Sequence, residues 1–293
     1  MRHESSVTPC IPTISQPQAR RALFVIGAIV LSATSASAMA TVTDVGQYVA
    51  GKTANYTQTG TGTPTIASIN PYEFQTEIDN GSSGTILASS TLTPPAGATG
   101  TVTYAINSDN TRVKDTQYFT SANALNSAFP DGNYTFTINT STPNTYTSTL
   151  ALSGITYPTD IPTISNTSWS GGNLVIDPTV NNTITWNASN DLHLNFGLDN
   201  TYVNLNTFNS GSGLPDSYTI TANTLSPGQS YTGYLDLAIG TMDNSQISGV
   251  MGATYFQNST YFTVITTPEP TAGFLLLMGV AAAGLMVRRR NLA

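Results

Sequence analysis

Along most of this chain apolar residues alternate with polar ones, and they seldom recur at every third or fourth position as a helix would require. Val102, Tyr104 and Ile106 share one face of an extended segment; Tyr134, Phe136 and Ile138 share another, with threonines between them. The period of two returns at Ile184 and Trp186, at Leu192, Leu194 and Phe196, at Tyr218 and Ile220, at Leu235, Leu237 and Ile239, and at Phe262 and Val264. Turn-forming clusters punctuate these runs: Asp79-Asn80-Gly81, Pro94-Pro95-Ala96-Gly97, Pro130-Asp131-Gly132-Asn133, Gly171-Gly172-Asn173 and Ser226-Pro227-Gly228. Many short alternating strands joined by such turns predict an all-β body of antiparallel β-sandwiches. Residues 121–129 carry the helical pattern of the body, a turn or two in length. Residues 51–63 are poor in apolar side chains and read as a lead-in to the first sheet.

The two ends follow other patterns. Arg20-Arg21, the apolar stretch 22–31 and the small residues 32–40 predict a secretory signal peptide, with cleavage after Ala38 or Ala40 and export by the Sec machinery. The arginine pair also fits twin-arginine export, but nothing beside the pair supports that route. The polar lead before it is longer than a signal peptide needs, an expectation that the effective start lies downstream of Met1. At the other end, Thr267-Pro268-Glu269-Pro270-Thr271 precedes the apolar run 272–287, and Arg288-Arg289-Arg290 follows. Proline lacks an amide donor and disfavours helix in the residue before it, so Pro268 and Pro270 hold Glu269 extended. The run would form about 24 Å of helix, somewhat short of a hydrocarbon core of about 30 Å. Three arginines beyond it would stay on the cytoplasmic side and leave the body outside.

A Pro-Glu-Pro triplet, a short apolar span and a terminal arginine cluster together resemble the PEP-CTERM sorting signal. The resemblance implies processing by an exosortase-type protease in a Gram-negative host that makes exopolysaccharide. The alternatives are a single-pass anchor that stays in the mature protein, or a buried helix packed through Gly273, Gly279 and Gly284.

Removing both ends sharpens the charge balance. Between Thr41 and Thr267 the basic residues are Lys52, Arg112 and Lys114 against fourteen Asp and Glu, a net charge of −11. Such a surface repels phosphate, which excludes nucleic acid as a partner. The single cysteine, Cys10, precedes the signal core, so the exported body carries no disulfide or thiolate metal site. Stability has to come from packed cores.

About 226 residues suffice for two domains. The proline-punctuated Tyr157-Pro158-Thr159-Asp160-Ile161-Pro162 is the boundary. The expected organisation is a signal peptide at 1–40, a first β-sandwich at 41–157, a second at 158–266, and the sorting signal at 267–293 with a transmembrane helix at 272–287. In the second domain Leu225-Ser226-Pro227-Gly228-Gln229-Ser230-Tyr231 resembles the tyrosine corner of fibronectin type III and immunoglobulin-like sandwiches, which implies a tyrosine bonded back to nearby backbone. Trp186 is then the core tryptophan of an early strand. The long stretches 206–216 and 240–255 exceed ordinary hairpin loops and loosen the match. Pro130-Asp131-Gly132-Asn133-Tyr134 echoes the corner one domain length earlier, the spacing a duplicated sandwich would give.

Catalytic residues are sparse. His193 lies in Asp191-Leu192-His193-Leu194-Asn195, where alternation sets Asp191, His193 and Asn195 on a polar face, read as solvated; no nucleophile elbow accompanies it. Glu73, Glu77 and Asp79 share a strand face and are the carboxylates a secreted glycosidase would use, although solvated residues near a turn explain them more simply. Asp199-Asn200 and Asp243-Asn244 are the loop sites open to calcium, without a repeated Asp spacing to support them. The expectation is therefore a non-catalytic surface or matrix protein with no cofactor or metal. Its functional residues are Pro268, Glu269 and Pro270, with Arg288, Arg289 and Arg290 as membrane stop. Its partners are the Sec apparatus, the sorting protease, the membrane through the C-terminal helix, and exopolysaccharide. A carbohydrate-binding module, marked by a row of exposed aromatics, is the alternative.

Overall fold

The computed structural model describes residues 42–187, 193–199, 203–208 and 213–268. Among these the chain is almost wholly strand, in an eleven-stranded sheet and two small ones. The spine of the large sheet is one long hairpin, β15 (Ser230–Ile247) and β16 (Val250–Thr266), closed by the two-residue turn Ser248-Gly249 with Gly249 at φ +76°. On the outer side of β15 lie β12 (His193–Leu198) and then β13 (Val203–Phe208). On the other side of β16 runs β1 (Val45–Thr57), followed by β3 (Tyr72–Asn80), β6 (Arg112–Phe119) and β5 (Ala105–Ile106). The short β2 (Thr65–Ile66) pairs with β1, and β9 (Trp169–Ser170) pairs with β10 (Asn173–Ile176), which extends the sheet along the last residues of β16.

The small sheets cover one face of this spine. β4 (Thr91–Thr93), β7 (Gly132–Asn139) and β8 (Thr145–Leu152) form a three-stranded sheet, with β8 packed on the β15–β16 hairpin. β11 (Asn182–Thr185) and β14 (Ser217–Ile220) form a two-stranded one. β7 shows the predicted alternation, with Tyr134, Phe136 and Ile138 buried between half-exposed threonines. The predicted helix is α1 (Ala122–Ala128), whose Ser121 side chain accepts the Ala124 amide at the N-cap. The face predicted from Val102, Tyr104 and Ile106 is only partly realised: Tyr104 is buried, but Ile106 is exposed on the short edge strand β5.

Two apolar cores result. The first gathers Tyr48, Phe74, Val113, Phe129, Tyr134 and Phe136, with Phe74 stacked on Phe129 at 3.8 Å between centroids. The second gathers Trp186, Leu194, Phe196, Tyr231, Leu235 and Phe262, with Trp186 stacked on Phe196 at 4.9 Å. The all-β class and two cores match the sequence reading, whereas two separate antiparallel sandwiches do not describe the chain. β1 pairs with β16 in parallel over eleven residues, Gln47 with Met251 through Thr57 with Tyr261, and β10 also joins β16 in parallel. Ile247, Val250 and Phe256, from beyond the expected boundary, complete the first core. The linker is itself held down, because Asn258 Nδ2 donates to Pro158 O at 2.9 Å and to Asp160 O at 3.0 Å. One sheet thus runs through both cores.

The stretch 240–255, expected as a loop, is the outer half of the hairpin. Residues 51–57, expected as lead-in, lie inside the central strand β1. The beginning of that strand is fastened by Asp44. Its carboxylate accepts from Thr140 Oγ1 at 2.9 Å, Thr142 Oγ1 at 2.6 Å, Asn144 Nδ2 at 3.1 Å and Tyr146 Oη at 2.8 Å, all in or beside the β7–β8 turn. Burial alone would raise this carboxyl, but the bonds from Thr142, Asn144, Tyr146 and Thr140 outweigh it and hold it below the usual carboxylate range. Asp44→Ala should cost about 3 kcal/mol, since it strands several donors built around a charge. With the folded value depressed, the stabilisation is whole above the unfolded carboxyl value of about 4 and is lost as pH falls through the folded value. Urea midpoints between pH 6 and pH 2 should converge for the wild type and the variant.

Candidate functional site

The first residues of the sorting motif continue directly from the end of β16. Thr266 is completely buried; its N–H donates to Gln229 O at 3.0 Å, and its Oγ1 donates to Ser226 O at 2.8 Å while accepting the Gln229 amide at 2.8 Å. Thr267 N–H donates to Ile176 O at 2.9 Å, and Gly228 N–H reaches Thr267 O at 3.3 Å. Pro268 follows at once, and lacking an amide it ends the ladder. The loop that clamps this stem is the predicted tyrosine corner: Ser226 N–H donates to Tyr231 Oη at 2.8 Å, and Gly228 takes φ +65°. Tyr134 makes a similar bond, donating to Pro130 O at 2.7 Å, but from the middle of a three-stranded sheet, while Tyr231 lies in the large one. The two corners therefore do not mark equivalent strands of a repeated domain. Sequence reasoning missed Thr266 and Gln229 as stem holders, since a threonine inside a threonine-rich strand carries no signal. Thr266→Val should lower stability by about 2 kcal/mol by stranding the Gln229 amide and Ser226 carbonyl, read by thermal melting.

Glu269 and Pro270, the apolar run 272–287, Arg288, Arg289 and Arg290, and the signal-cleavage positions Ala38 and Ala40 lie outside the described residues. Among the described residues no helix is long and apolar enough to cross a membrane.

The structure brings the carboxylates of β3 to one face of the large sheet, as predicted, but buries them. Glu73 and Glu77 are 0% and 2% exposed, on a strand that pairs along both edges with β1 and β6. Arg112, directly across from Asp79 on β6, reaches Glu77 Oε1 at 2.9 Å and Asp79 Oδ1 at 3.7 Å, and Gln47 Nε2 donates to Asp79 Oδ2 at 2.8 Å. Burial, then the hydrogen bond and charge of Asp79, push the Glu77 carboxyl up to about 8 against the pull of Arg112 and Lys114. Burial raises Asp79 too. A glycosidase needs two carboxyls about 5 to 10 Å apart flanking a sugar in a cleft. Glu77 and Asp79 instead share a hydrogen bond and a cation, and Glu73 stands four residues along the strand, about 13 Å from Glu77 at Cα.

His193 is also buried, at 2% exposure, which corrects the solvated face expected for it. β12 is an interior strand between β13 and β15, with both of its faces covered. Asn195 sits beside it, its Nδ2 3.4 Å from Asp236 Oδ2; Asp191 lies outside the described residues. Trp186 occupies the second core as predicted, its Nε1 donating to Pro215 O at 2.8 Å. Among the described residues no three His, Cys, Asp or Glu side chains converge to hold a metal ion. Asp199 Oδ1 accepts the Thr232 amide, and Asp243 Oδ1 accepts the amide and hydroxyl of Ser245; Asn200 is outside the described residues. Nor do exposed aromatics form the row a sugar-binding face needs: among the described residues the exposed large aromatic is Tyr118, at 51%.

Residues 266–290 match the PEP-CTERM protein-sorting motif. The match opens on Thr266, the last residue of β16, and spans the Pro-Glu-Pro triplet, the apolar run and the three arginines. The chain thus carries a signal by which an exosortase sorts proteins to the cell surface. No curated protein matches the chain.

Proposed function

We propose that this is a non-catalytic surface or matrix protein whose chemistry is that of a substrate, acted on by a sorting protease. It crosses the inner membrane by Sec export, with loss of its signal peptide after Ala38 or Ala40. The helix at 272–287 then holds it, Arg288, Arg289 and Arg290 remain cytoplasmic, and the protease cuts near Pro268, Glu269 and Pro270. The acidic body passes into an exopolysaccharide-rich matrix, where its −11 charge keeps copies apart and soluble. The observation that carries this reading is the sorting-motif match beginning at the final residue of the fold. Among the described residues the ladder of β16 ends at Thr266, and Pro268 of the triplet follows Thr267 directly.

The test is the intact mass of the protein from culture medium and from washed envelope of its own host. A species starting near Met39 or Thr41 and ending near Pro268 to Pro270 is expected. Retention of residues 272–293 in every fraction would make it a permanently anchored single-pass protein and overturn the processing step.

A further inference from the structure

Lys52 is the one lysine of the exported body besides Lys114, and its side chain is wholly buried. It rises from β1 between Phe74 of β3 and Phe256 of β16, with its amine 5.5 Å from the centre of the Phe256 ring. Nζ ends 2.9 Å from Oδ1 of Asn126, in the last turn of α1, and 2.6 Å from Oδ1 of Asp131, just before β7. A primary amine, a primary carboxamide and a carboxylate therefore meet at one point. The geometry points to an intramolecular amide bond between Lys52 Nζ and Asn126 Cγ, formed with Asp131 as the proton carrier.

Each participant has a defined part. The Asp131 carboxylate takes a proton from the Lys52 ammonium and frees the amine lone pair. Burial favours the neutral amine, opposed by the hydrogen bond and charge of Asp131. A desolvated lysine is the form in which this side chain acts as a nucleophile. Its hydrogen bond to Oδ1 already sets it beside the carboxamide, so attack is intramolecular once Asn126 turns the face of its carbonyl toward Nζ. Nζ–Cγ forms, Asp131 passes its proton to Nδ2 and takes a second one from Nζ, Cγ–Nδ2 breaks, and the departing ammonia collects that second proton and leaves as ammonium. Ammonium plus a secondary amide replaces ammonium plus a primary amide, so charge and atoms balance with no oxidant. Asn126 and Asp131 both reach the surface, giving the leaving group a way out. Asn126 is the acyl donor because Asp131 is occupied in carrying the protons between Nζ and the leaving nitrogen. In a body without cysteine, the bond would tie the central strand β1 to the α1–β7 connection, the service a disulfide gives other exported proteins.

The experiment is peptide mapping of the full chain purified from its host, with Lys52→Met, Asn126→Ala and Asp131→Ala alongside. In denatured wild type, trypsin should fail to cut after Lys52, and a joined peptide carrying residues 52 and 126 should appear, lighter than its parts by one ammonia. The Asn126→Ala protein should be cut after Lys52 and show no joined peptide, and Asp131→Ala should form at most a tenth as much of it. Complete cutting after Lys52 in wild type, with both peptides at full mass, overturns the bond. Joining with loss of water places it on Asp131 and overturns the assignment to Asn126. Undiminished joining in Asp131→Ala removes the carboxylate from the mechanism. The wild-type readout decides even if a variant does not fold.

Discussion

Residues 41–157, produced alone, should not fold, and the whole protein should unfold in a single transition. The reason lies in β16. Without it β1 loses its parallel partner along eleven residue pairs, and a central strand becomes an open edge. The first core also loses Ile247, Val250 and Phe256, of which Phe256 packs against Tyr157 at 5.2 Å between centroids. Removing three buried side chains of this size takes away about 6 kcal/mol of burial before any strand pairing is counted, comparable to the net stability of a domain. The second core has the mirror dependence, since Gln58 at the end of β1 brackets Ile164, its Nε2 donating to Ile164 O at 2.7 Å and its Oε1 accepting Ile164 N–H at 2.8 Å. Circular dichroism and urea titration of residues 41–157 should show no cooperative transition, and calorimetry of the full chain should give one peak. A fragment that melts sharply, or two resolved peaks, would restore two independent domains.

Why the sequence suggested independence is visible in particular strands. β7 and α1 announce themselves, because one face of each is buried and the other is wet, and period-two alternation or a Ser cap records that asymmetry. β1 has no such asymmetry. Residues 45 and 47–55 are buried on both faces of the sheet, and the strand is filled with Gly51, Thr53 and Ala54 so that neighbours can lie close. A Cβ at Gly51 would fall 2.3 Å from the Tyr255 ring, so the glycine that reads as flexible is where that ring rests. The hairpin tip fails differently: its half-exposed Asp243 and exposed Asn244 and Ser245 carry turn chemistry and do make a local Asp243–Ser245 turn, inside a strand that then resumes. His193 and the β3 carboxylates were misplaced for the same reason as β1, since local alternation tells which residues share a face and not whether that face is covered.

The candidate site was more legible than the fold, because sorting signals are read as linear chemistry. Pro268, Glu269, Pro270 and the arginines were identified without any knowledge of strand order, and the corner motif around Tyr231 forms as its residues imply. What the residues could not tell is that the corner and the signal are neighbours. The loop 226–229 holds Thr266, two residues before the first proline of the triplet.

Arg112→Met should cost about 3 kcal/mol near pH 8, as much as Asp44→Ala. The arginine is the cation beside the buried Glu77 and the largely buried Asp79, and removing it leaves the pair without its compensating charge, the more so as pH rises toward the Glu77 value. The pH dependence gives the mechanism. The Glu77 carboxyl, at about 8 in the folded protein, lies above its unfolded value of about 4. Its contribution is therefore complete below pH 4 and is lost as pH rises through 8, so this group makes the wild type less stable at pH 8 than at pH 5. Glu77→Gln should flatten that limb while keeping a neutral hydrogen-bonding side chain. In Arg112→Met both carboxyls lose their cation and hold their protons more tightly, so the penalty should shrink on acidification from pH 8 to pH 5. In a double-mutant cycle with Glu77→Gln, the penalty of Arg112→Met should fall markedly. A penalty independent of both pH and Glu77 would show that Arg112 acts through packing of its stem alone.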